Sequence, residues 1–317
     1  MSRNLAILLG LTALGAVYPQ MFPDYLAIPI TILLFIGWAT SWDLIGGWAG
    51  QVSLGHAAFV GLGAYFVAIG IERFDVAPWW SLLAAMGFSA ILAMLWGGLT
   101  FRLQGPYFAL STIAIAEMLR LVAINETWLS GGATGVFIST LPEPFSLDLF
   151  DRQLQFYLAL VFAASVLLAV IIISRVRFGY QLRAVREDEQ SAMAAGIDPA
   201  RVKLRAFMLS GALTALGGGI YGMYLSFMEP HVMFNLLLSI QIALTAIIGG
   251  RGTVWGPALG AVVLIGAGEM FRTVFAQANM LVYGLLILAV VLFFPRGIIA
   301  ELIRKQVRRV YARRAQG

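Results

Sequence analysis

Few side chains in this sequence can do acid–base chemistry, bind a metal or form a covalent intermediate. Among 317 residues there is no Cys, there are two His (His56 and His231), and Lys, Arg, Asp and Glu together make up 12%. Disulfides, cysteine-ligated zinc, iron–sulfur clusters and thiol nucleophiles are therefore excluded. The sequence also contains no serine-hydrolase elbow, zinc-protease motif or glycine–lysine phosphate loop. We expect neither an enzyme nor a cofactor or metal bound by this chain.

The most unusual segment is a glycine-rich run with interspersed polar residues, Gly46-Gly47-Trp48-Ala49-Gly50-Gln51-Val52-Ser53-Leu54-Gly55-His56. Its glycines loosen a helix, because each costs about 1 kcal/mol relative to alanine. A helix broken at membrane depth frees backbone N–H and C=O groups, which transporters use to contact a solute. The run therefore predicts a substrate pathway that includes Gly50, Gln51, Ser53, Gly55 and His56. The alternatives are close helix packing through small residues and, for His56 alone, a buried packing role.

Two pairs of opposite charges lie inside apolar segments, each pair one helical turn apart: Glu117 with Arg120, and Glu269 with Arg272. A charge at the centre of a bilayer costs about 2.5–3.5 kcal/mol on the insertion scale, and pairing lowers that cost. Glu117 is therefore a further candidate for the substrate pathway or for a proton relay. The alternative is that each pair is a structural clamp near the outer membrane interface.

The rest of the sequence places these residues in a membrane. It is 60% hydrophobic and 12% charged, whereas soluble domains are about 25% charged. The apolar runs are continuous rather than alternating, so a barrel is not expected. We predict an all-α, polytopic helical membrane bundle of about ten transmembrane helices, some of them broken or re-entrant. The predicted spans lie near 5–18, 26–45, 52–71, 79–100, 106–124, 155–174, 205–228, 236–250, 256–275 and 280–295.

Basic residues determine the expected orientation, because short loops rich in Lys and Arg stay in the cytoplasm. Segments 175–205 and 296–314 each hold seven of the 21 Lys and Arg residues. Both termini are therefore expected in the cytoplasm, with 296–317 as a basic cytoplasmic tail that faces anionic lipid rather than nucleic acid. Arg3 and the apolar run after it also have the pattern of a cleavable signal peptide, which is the alternative to a retained first span.

The cytoplasmic loop 175–204 is patterned as a rigid projection. Residues 183–195 are predicted to form one short helix with Gly196 at its C-cap, and Asp198 and Pro199 to begin the next helix. Apolar residues beside the acidic run 187–189 suit a groove on a partner protein. The alternative is a helix lying on lipid headgroups, although anionic lipid would repel that acidic run. The glycines of segment 249–257 predict a tight cytoplasmic turn near this projection, serving as a gate or only as a turn.

These motifs resemble one permease family, the membrane subunits of bacterial ABC importers for branched-chain and other hydrophobic amino acids. The resemblance extends over about residues 40–295. Its matching blocks are 48–59, 61–65, 105–110, 134–135, 178–189, 195–197, 202–204 and 249–257. One departure is that Gln190 and Ser191 follow Glu189, where many other ABC permeases have the pattern E-A-A-x-x-x-G.

The resemblance implies a single transmembrane permease domain over residues 1–317, in the bacterial inner membrane. It also implies a second related permease subunit, two cytoplasmic ATPases that bind ATP and Mg, and a periplasmic substrate-binding protein. The 175–204 loop would then carry the coupling helix that enters an ATPase groove. The residues implied for this coupling are Arg186, Glu187, Asp188, Glu189, Ala195 and Gly196.

Other functions remain as alternatives at this point. Relatives within the resembled family handle urea, short amides or aromatic acids. A secondary carrier or channel would work without ATPases, and a membrane-embedded enzyme would use His56 and Glu117. The sequence does not decide whether the permease pairs with a copy of itself or with a different subunit.

Overall fold

The computed structural model describes residues 2–101, 106–138 and 151–274, together with Gly284. Within these residues the chain forms helices and one two-stranded antiparallel pair, in which Val136 lies opposite Met228 and Phe137 opposite Phe227. The strands are β1 (Val136–Phe137) and β2 (Phe227–Met228). The helices are α1 (Ser2–Met21), α2 (Ala27–Asp43), α3 (His56–Phe74), α4 (Pro78–Thr100), α5 (Pro106–Asn125), α6 (Thr127–Ser130), α7 (Arg152–Ile173), α8 (Arg177–Glu187), α9 (Glu189–Ala194), α10 (Pro199–Leu225), α11 (Pro230–Met233), α12 (Leu236–Gly250) and α13 (Gly256–Val274).

Eight helices in the described part of the chain are long and apolar enough to cross a membrane. They correspond in order to the first eight predicted spans, so the polytopic helical bundle is confirmed. The ninth predicted span falls on α13. The tenth, 280–295, and the tail 296–317 lie outside the described residues apart from Gly284. The eight spans are Arg3–Met21, Ala27–Trp48, His56–Phe74, Pro78–Thr100, Tyr107–Asn125, Arg152–Ile173, Pro199–Leu225 and Pro230–Gly250.

The projection between α7 and α10 differs from its prediction. The single helix predicted over residues 183–195 is wrong, because Asp188 is extended (φ −161°, ψ 119°) and separates α8 from α9. The Asp188 carboxylate accepts a hydrogen bond from the backbone N–H of Ser191 and so caps α9. Gly196 follows α9 at φ +79°, as its predicted C-cap role requires. Asp198 caps α10 at Arg201 N (3.2 Å), which confirms the predicted start of that helix.

Helix α10 lies at the centre of the bundle and packs against α2, α3, α4 and α7. It runs parallel to α3, and small residues allow the two backbones to touch: a side chain at Gly63 would collide with the backbone of Ala215, and one at Gly218 with that of Val60. Packing through small residues is typical of membrane helices, since it brings backbones close. Around this contact lies an aromatic cluster of Phe59, Trp96, Phe101, Phe108 and Phe207.

The connections of the bundle gather at two ends. We call the end that holds α8, α9 and the turn between α12 and α13 the α8 end, because there Gly252 contacts Asp43 at the end of α2 and Arg186 contacts Gly47 just after it. We call the other the strand end; it holds α6, α11 and the β1–β2 pair. Tyr65 of α3 reaches it by donating a hydrogen bond to the carbonyl oxygen of Met228 (3.1 Å).

Candidate functional site

The predicted helix break is present between α2 and α3. Helix α2 continues into a π turn, Leu44–Trp48, and residues 49–55 are irregular until α3 begins at His56, four residues later than predicted. We call residues 49–55 the break. Gly50 adopts φ +77°, which glycine adopts without a steric cost. Gly55 lies against the backbone of Thr112 in α5, with no room for a side chain between them.

His56 is buried at the junction of three helices. Its Nε2 lies 2.8 Å from Ser210 Oγ, and Ser210 Oγ donates to the carbonyl oxygen of Ser41 (2.6 Å). Because the Ser210 proton is used in that bond, His56 Nε2 is the protonated nitrogen, and Nδ1 accepts from Ser53 Oγ at 3.1 Å. The imidazole therefore joins α2, α3 and α10. In this conformation His56 has the buried packing contacts that the sequence left as its alternative role.

The other predicted pathway residues differ in exposure. Gly50 is exposed and Gln51 is half-buried, whereas Ser53 and Gly55 are buried. The Ser53 carbonyl oxygen accepts a hydrogen bond from Trp42 Nε1 (2.7 Å), which holds the break against α2. Of these pathway residues, Gly50 and Gln51 are accessible to a molecule at the α8 end, whereas Ser53 and Gly55 lie behind them.

Four residues at the α8 end form a cluster that we call the Asp43 junction: Asp43, Gly47, Arg186 and Gly252. Arg186 Nη1 donates to the carbonyl oxygen of Gly47 (2.9 Å). The backbone N–H of Gly252 donates to both carboxylate oxygens of buried Asp43, 2.9 Å to each. Arg186 is a predicted coupling residue, and the junction joins it to the turn that precedes the break.

Sequence reasoning missed Asp43, Thr112, Ser210 and Gly252. Asp43 had a usable signal, since it is the one ionisable residue in the apolar run 26–45 and such residues are rarely without a role. Gly252 was seen only as part of the predicted turn, which is confirmed, with Gly252 at φ +73°. Thr112 and Ser210 are ordinary residues of apolar helices, and only the packing reveals their contacts.

The predicted coupling residues lie together on the projection. Glu187, Asp188, Ala195 and Gly196 are exposed. The backbone N–H of Ser191 holds the pKa of the Asp188 carboxyl below its usual range, because the hydrogen bond favours the ionised form.

Glu189 differs from the other predicted coupling residues because its carboxylate forms a salt bridge with Lys203. Its Oε1 lies 2.5 Å from Nζ of Lys203, and the Lys203 side chain is 5% exposed while that of Glu189 is 48% exposed. The pair attaches α9 to the start of α10. Arg183 adds a further contact to the π turn, with its guanidinium 5.3 Å from the ring centroid of Trp48.

Glu117 lies apart from the break, farther along α5. Arg120 Nε donates to Glu117 Oε2 (2.8 Å), and Arg120 Nη2 donates to Glu117 Oε1. The predicted pair is therefore formed, and it extends to the strand end, where Arg120 Nη1 lies 2.9 Å from Nδ1 of His231. The side chains of Glu269 and Arg272 lie outside the described residues, so the second pair stays a prediction.

The family model described as "Branched-chain amino acid transport system / permease component" matches residues 23–291 of the chain. The chain belongs to this family. The high-affinity branched-chain amino acid transport system permease proteins LivM of Salmonella typhimurium and Escherichia coli are each 27% identical to it over 319 residues, covering 92% of this chain and 74% of theirs. The corresponding protein BraD of Pseudomonas aeruginosa is 27% identical over 304 residues, covering 90% of this chain and 96% of its own.

No solved structure matches the chain significantly. The permease resemblance read from the sequence is confirmed by the family match over most of the chain. Together with the eight apolar helices in the described part of the chain, membership of this permease family makes the chain a multi-pass protein of the inner membrane.

Proposed function

We propose that the chain is the transmembrane permease subunit of an ATP-driven ABC importer that moves branched-chain and other hydrophobic amino acids across the inner membrane. The observation that carries this proposal is the family match over residues 23–291. The partners would be a second homologous permease, two cytoplasmic ATPases and a periplasmic binding protein. ATP and Mg would be bound by the ATPases, and this chain would be neither an enzyme nor a cofactor carrier.

The projection supplies the proposed contact with an ATPase. Glu187, Asp188, Ala195 and Gly196 are exposed on it, as is the apolar side chain of Met193 (55% exposed). A mixed acidic and apolar helical surface is typical of segments that insert into a groove of a partner. The α8 end would then be the cytoplasmic end, with both termini and the tail 296–317 on that side.

The Asp43 junction supplies a route from the projection to the pathway. When the ATPases close on ATP, α8 and α9 would move with them, and Arg186 would pull on the π turn through the Gly47 carbonyl oxygen. Glu189 would keep the projection attached to α10 through Lys203. A displacement of the π turn would change the break, where Gly50, Gln51, Ser53, Gly55 and His56 are placed.

The proposed pathway suits the chemistry of its solute. An amino acid with an apolar side chain is a zwitterion with no net charge, so it needs polar contacts beside apolar walls. The break offers backbone groups together with the Gln51 amide, and α5 contributes Glu117. Because His56 and Ser53 are buried here, the pathway at their level would open only when α2, α3 and α10 separate.

Reconstitution of the complete transporter tests this function. The permease would be co-purified with its second permease and ATPases, placed in liposomes, and supplied with binding protein carrying leucine. We expect uptake that requires ATP, and ATP hydrolysis stimulated by the loaded binding protein. Uptake by the permease alone would overturn the proposal in favour of a carrier or channel. Stimulation of ATP hydrolysis only by a binding protein loaded with urea, an amide or an aromatic acid would overturn the proposed substrate class.

A further inference from the structure

A polar cluster lies on an otherwise apolar, unburied face of α5. We call Glu117, Arg120 and His231 the α5 cluster. The side chain of Glu117 is 50% exposed, and that of Arg120 is 19% exposed. Large apolar side chains that are more than half exposed surround it on this helix, namely Tyr107, Leu110, Met118 and Val122.

At the position of Glu117 along α5, contact of a charged side chain with lipid tails is unfavourable. Glu117 lies near the middle of the 20-residue helix, about 12 Å from its end at a rise of 1.5 Å per residue. Ionisable side chains at such depth face the interior of a bundle or a water-filled cavity, because hydrocarbon does not solvate them. In the proposed transporter, the exposed oxygens of Glu117 would therefore face the second permease or the space between the two subunits.

In the α5 cluster, hydrogen-bond donors for a carboxylate lie next to acceptors for an ammonium group. The Arg120 guanidinium has five N–H donors, and three contacts of it are described, two to Glu117 and one to His231. Because a guanidinium only donates, His231 Nδ1 is the acceptor and its Nε2 carries the proton. Arg120 and the exposed His231 thus offer donors to a carboxylate, and Glu117 next to them offers acceptors to an ammonium group.

We propose that the α5 cluster binds the amino and carboxyl groups of the zwitterionic solute on its way through the transporter. Arg120 and His231 Nε2 take the carboxylate, and Glu117 takes the ammonium group. Leu110, Met118 and other apolar residues of the same α5 face contact the apolar side chain. This site rests on the proposed function and deepens it, since it assigns recognition of the solute to the permease as well as to the binding protein.

The test uses the complete reconstituted transporter with leucine-loaded binding protein and compares amino acid moved per ATP hydrolysed. For Glu117→Gln and Arg120→Gln we expect ATP hydrolysis to stay stimulated by the binding protein. The amount moved per ATP is expected to fall at least about tenfold, as for loss of one charge-assisted contact. His231→Ala keeps the Glu117–Arg120 pair, and for this variant the amount of amino acid moved per ATP should fall several-fold. Glu126→Gln, at an exposed acid just after α5, is the matched control and should behave as wild type.

A charge-swapped double variant, Glu117→Arg with Arg120→Glu, separates binding from a structural clamp. The swap keeps an ion pair at the same spacing but moves each charge by one helical turn. We expect it to stay as defective as Glu117→Gln. Recovery in the swap, wild-type ratios in the single variants, or loss of co-purification with the second permease would each overturn the site. Absence of ATP-dependent uptake in the wild type would overturn the proposed function itself.

Discussion

The guanidinium of Arg186 donates a hydrogen bond to the carbonyl oxygen of Gly47, which lies 139 positions earlier in the chain. Arg186 belongs to the exposed helix α8, whereas Gly47 belongs to the π turn that leads into the break. Next to this turn, the backbone N–H of Gly252 donates a hydrogen bond to the carboxylate of Asp43 at the end of α2. A force applied to α8 by a partner therefore reaches the π turn through the hydrogen bond of Arg186, and Arg183 adds a second contact through the ring of Trp48.

Removal of this side chain should uncouple the transporter. For Arg186→Ala we expect ATP hydrolysis to continue while amino acid uptake per ATP falls about tenfold, because a hydrogen bond from a charged donor is worth about 1.5–3 kcal/mol. Arg177→Ala, at an exposed arginine on the same helix, is the control and should leave the ratio unchanged. Equal ratios for Arg186→Ala and wild type in reconstituted vesicles would show that the junction does not transmit movement.

Crowding of the Asp43 junction should have a similar effect without removing any polar group. Gly252 adopts φ +73°, and a side chain there would collide with Arg186 and approach the Gly47 carbonyl oxygen. For Gly252→Ala we expect a lower melting temperature of the purified complex together with lower uptake per ATP. Gly87→Ala, where nothing lies within 4 Å of the added carbon, should change neither. A Gly252→Ala transporter with the wild-type melting temperature and ratio would contradict this description of the junction.

The buried contacts of His56 predict a stability effect at a distant residue. Ser210→Ala would leave the buried Nε2–H of His56 without its acceptor, which costs about 1–3 kcal/mol. We expect a lower melting temperature for Ser210→Ala in detergent, and an effect of the same kind for His56→Ala. Ser165→Ala is the control, since Ser165 is exposed and its hydroxyl donates to the carbonyl oxygen of Phe162 in its own helix. An unchanged melting temperature for Ser210→Ala would show that this contact does not stabilise the bundle.

The Lys203–Glu189 pair predicts unequal effects of its two partners. Glu189→Gln would leave the buried ammonium of Lys203 without its counter-ion, whereas Lys203→Met would leave only the half-exposed carboxylate of Glu189 in water. We therefore expect Glu189→Gln to reduce co-purification of the ATPases more than Lys203→Met does. The reverse order would contradict this prediction, because it would mean that the buried ammonium of Lys203 tolerates the loss of its counter-ion.

The sequence was sufficient for the spans and for the location of the break, because both follow from local composition: apolar runs of membrane length and clustered glycines. It also located the projection and the cap at Asp198. It did not separate α8 from α9, since the capping geometry of Asp188 competes with an otherwise helical pattern. The Asp43–Gly252 contact joins residues 209 positions apart, and no local pattern predicts such a pairing.

The α5 cluster also contains one contact that local sequence predicts and one that depends on the tertiary structure. Glu117 and Arg120 were paired from their spacing, which is a local property of one helix. His231 was not connected with them, because its position depends on how α11 turns back towards α5 at the strand end. The spacing of Glu117 and Arg120 therefore predicts their pair, whereas His231 joins that pair only through the tertiary structure.

In the proposed function, the projection docks on an ATPase at the cytoplasmic face. Because the chain contains no Cys, Ala195→Cys introduces one defined thiol on the exposed end of α9, and Glu126→Cys introduces a matched exposed thiol at the strand end. The decisive measurement is cross-linking of each thiol, in membranes that contain the whole transporter. We expect Ala195→Cys to be captured with an ATPase and Glu126→Cys not to be; capture of the ATPase by Glu126→Cys, or its absence with Ala195→Cys, would contradict the account.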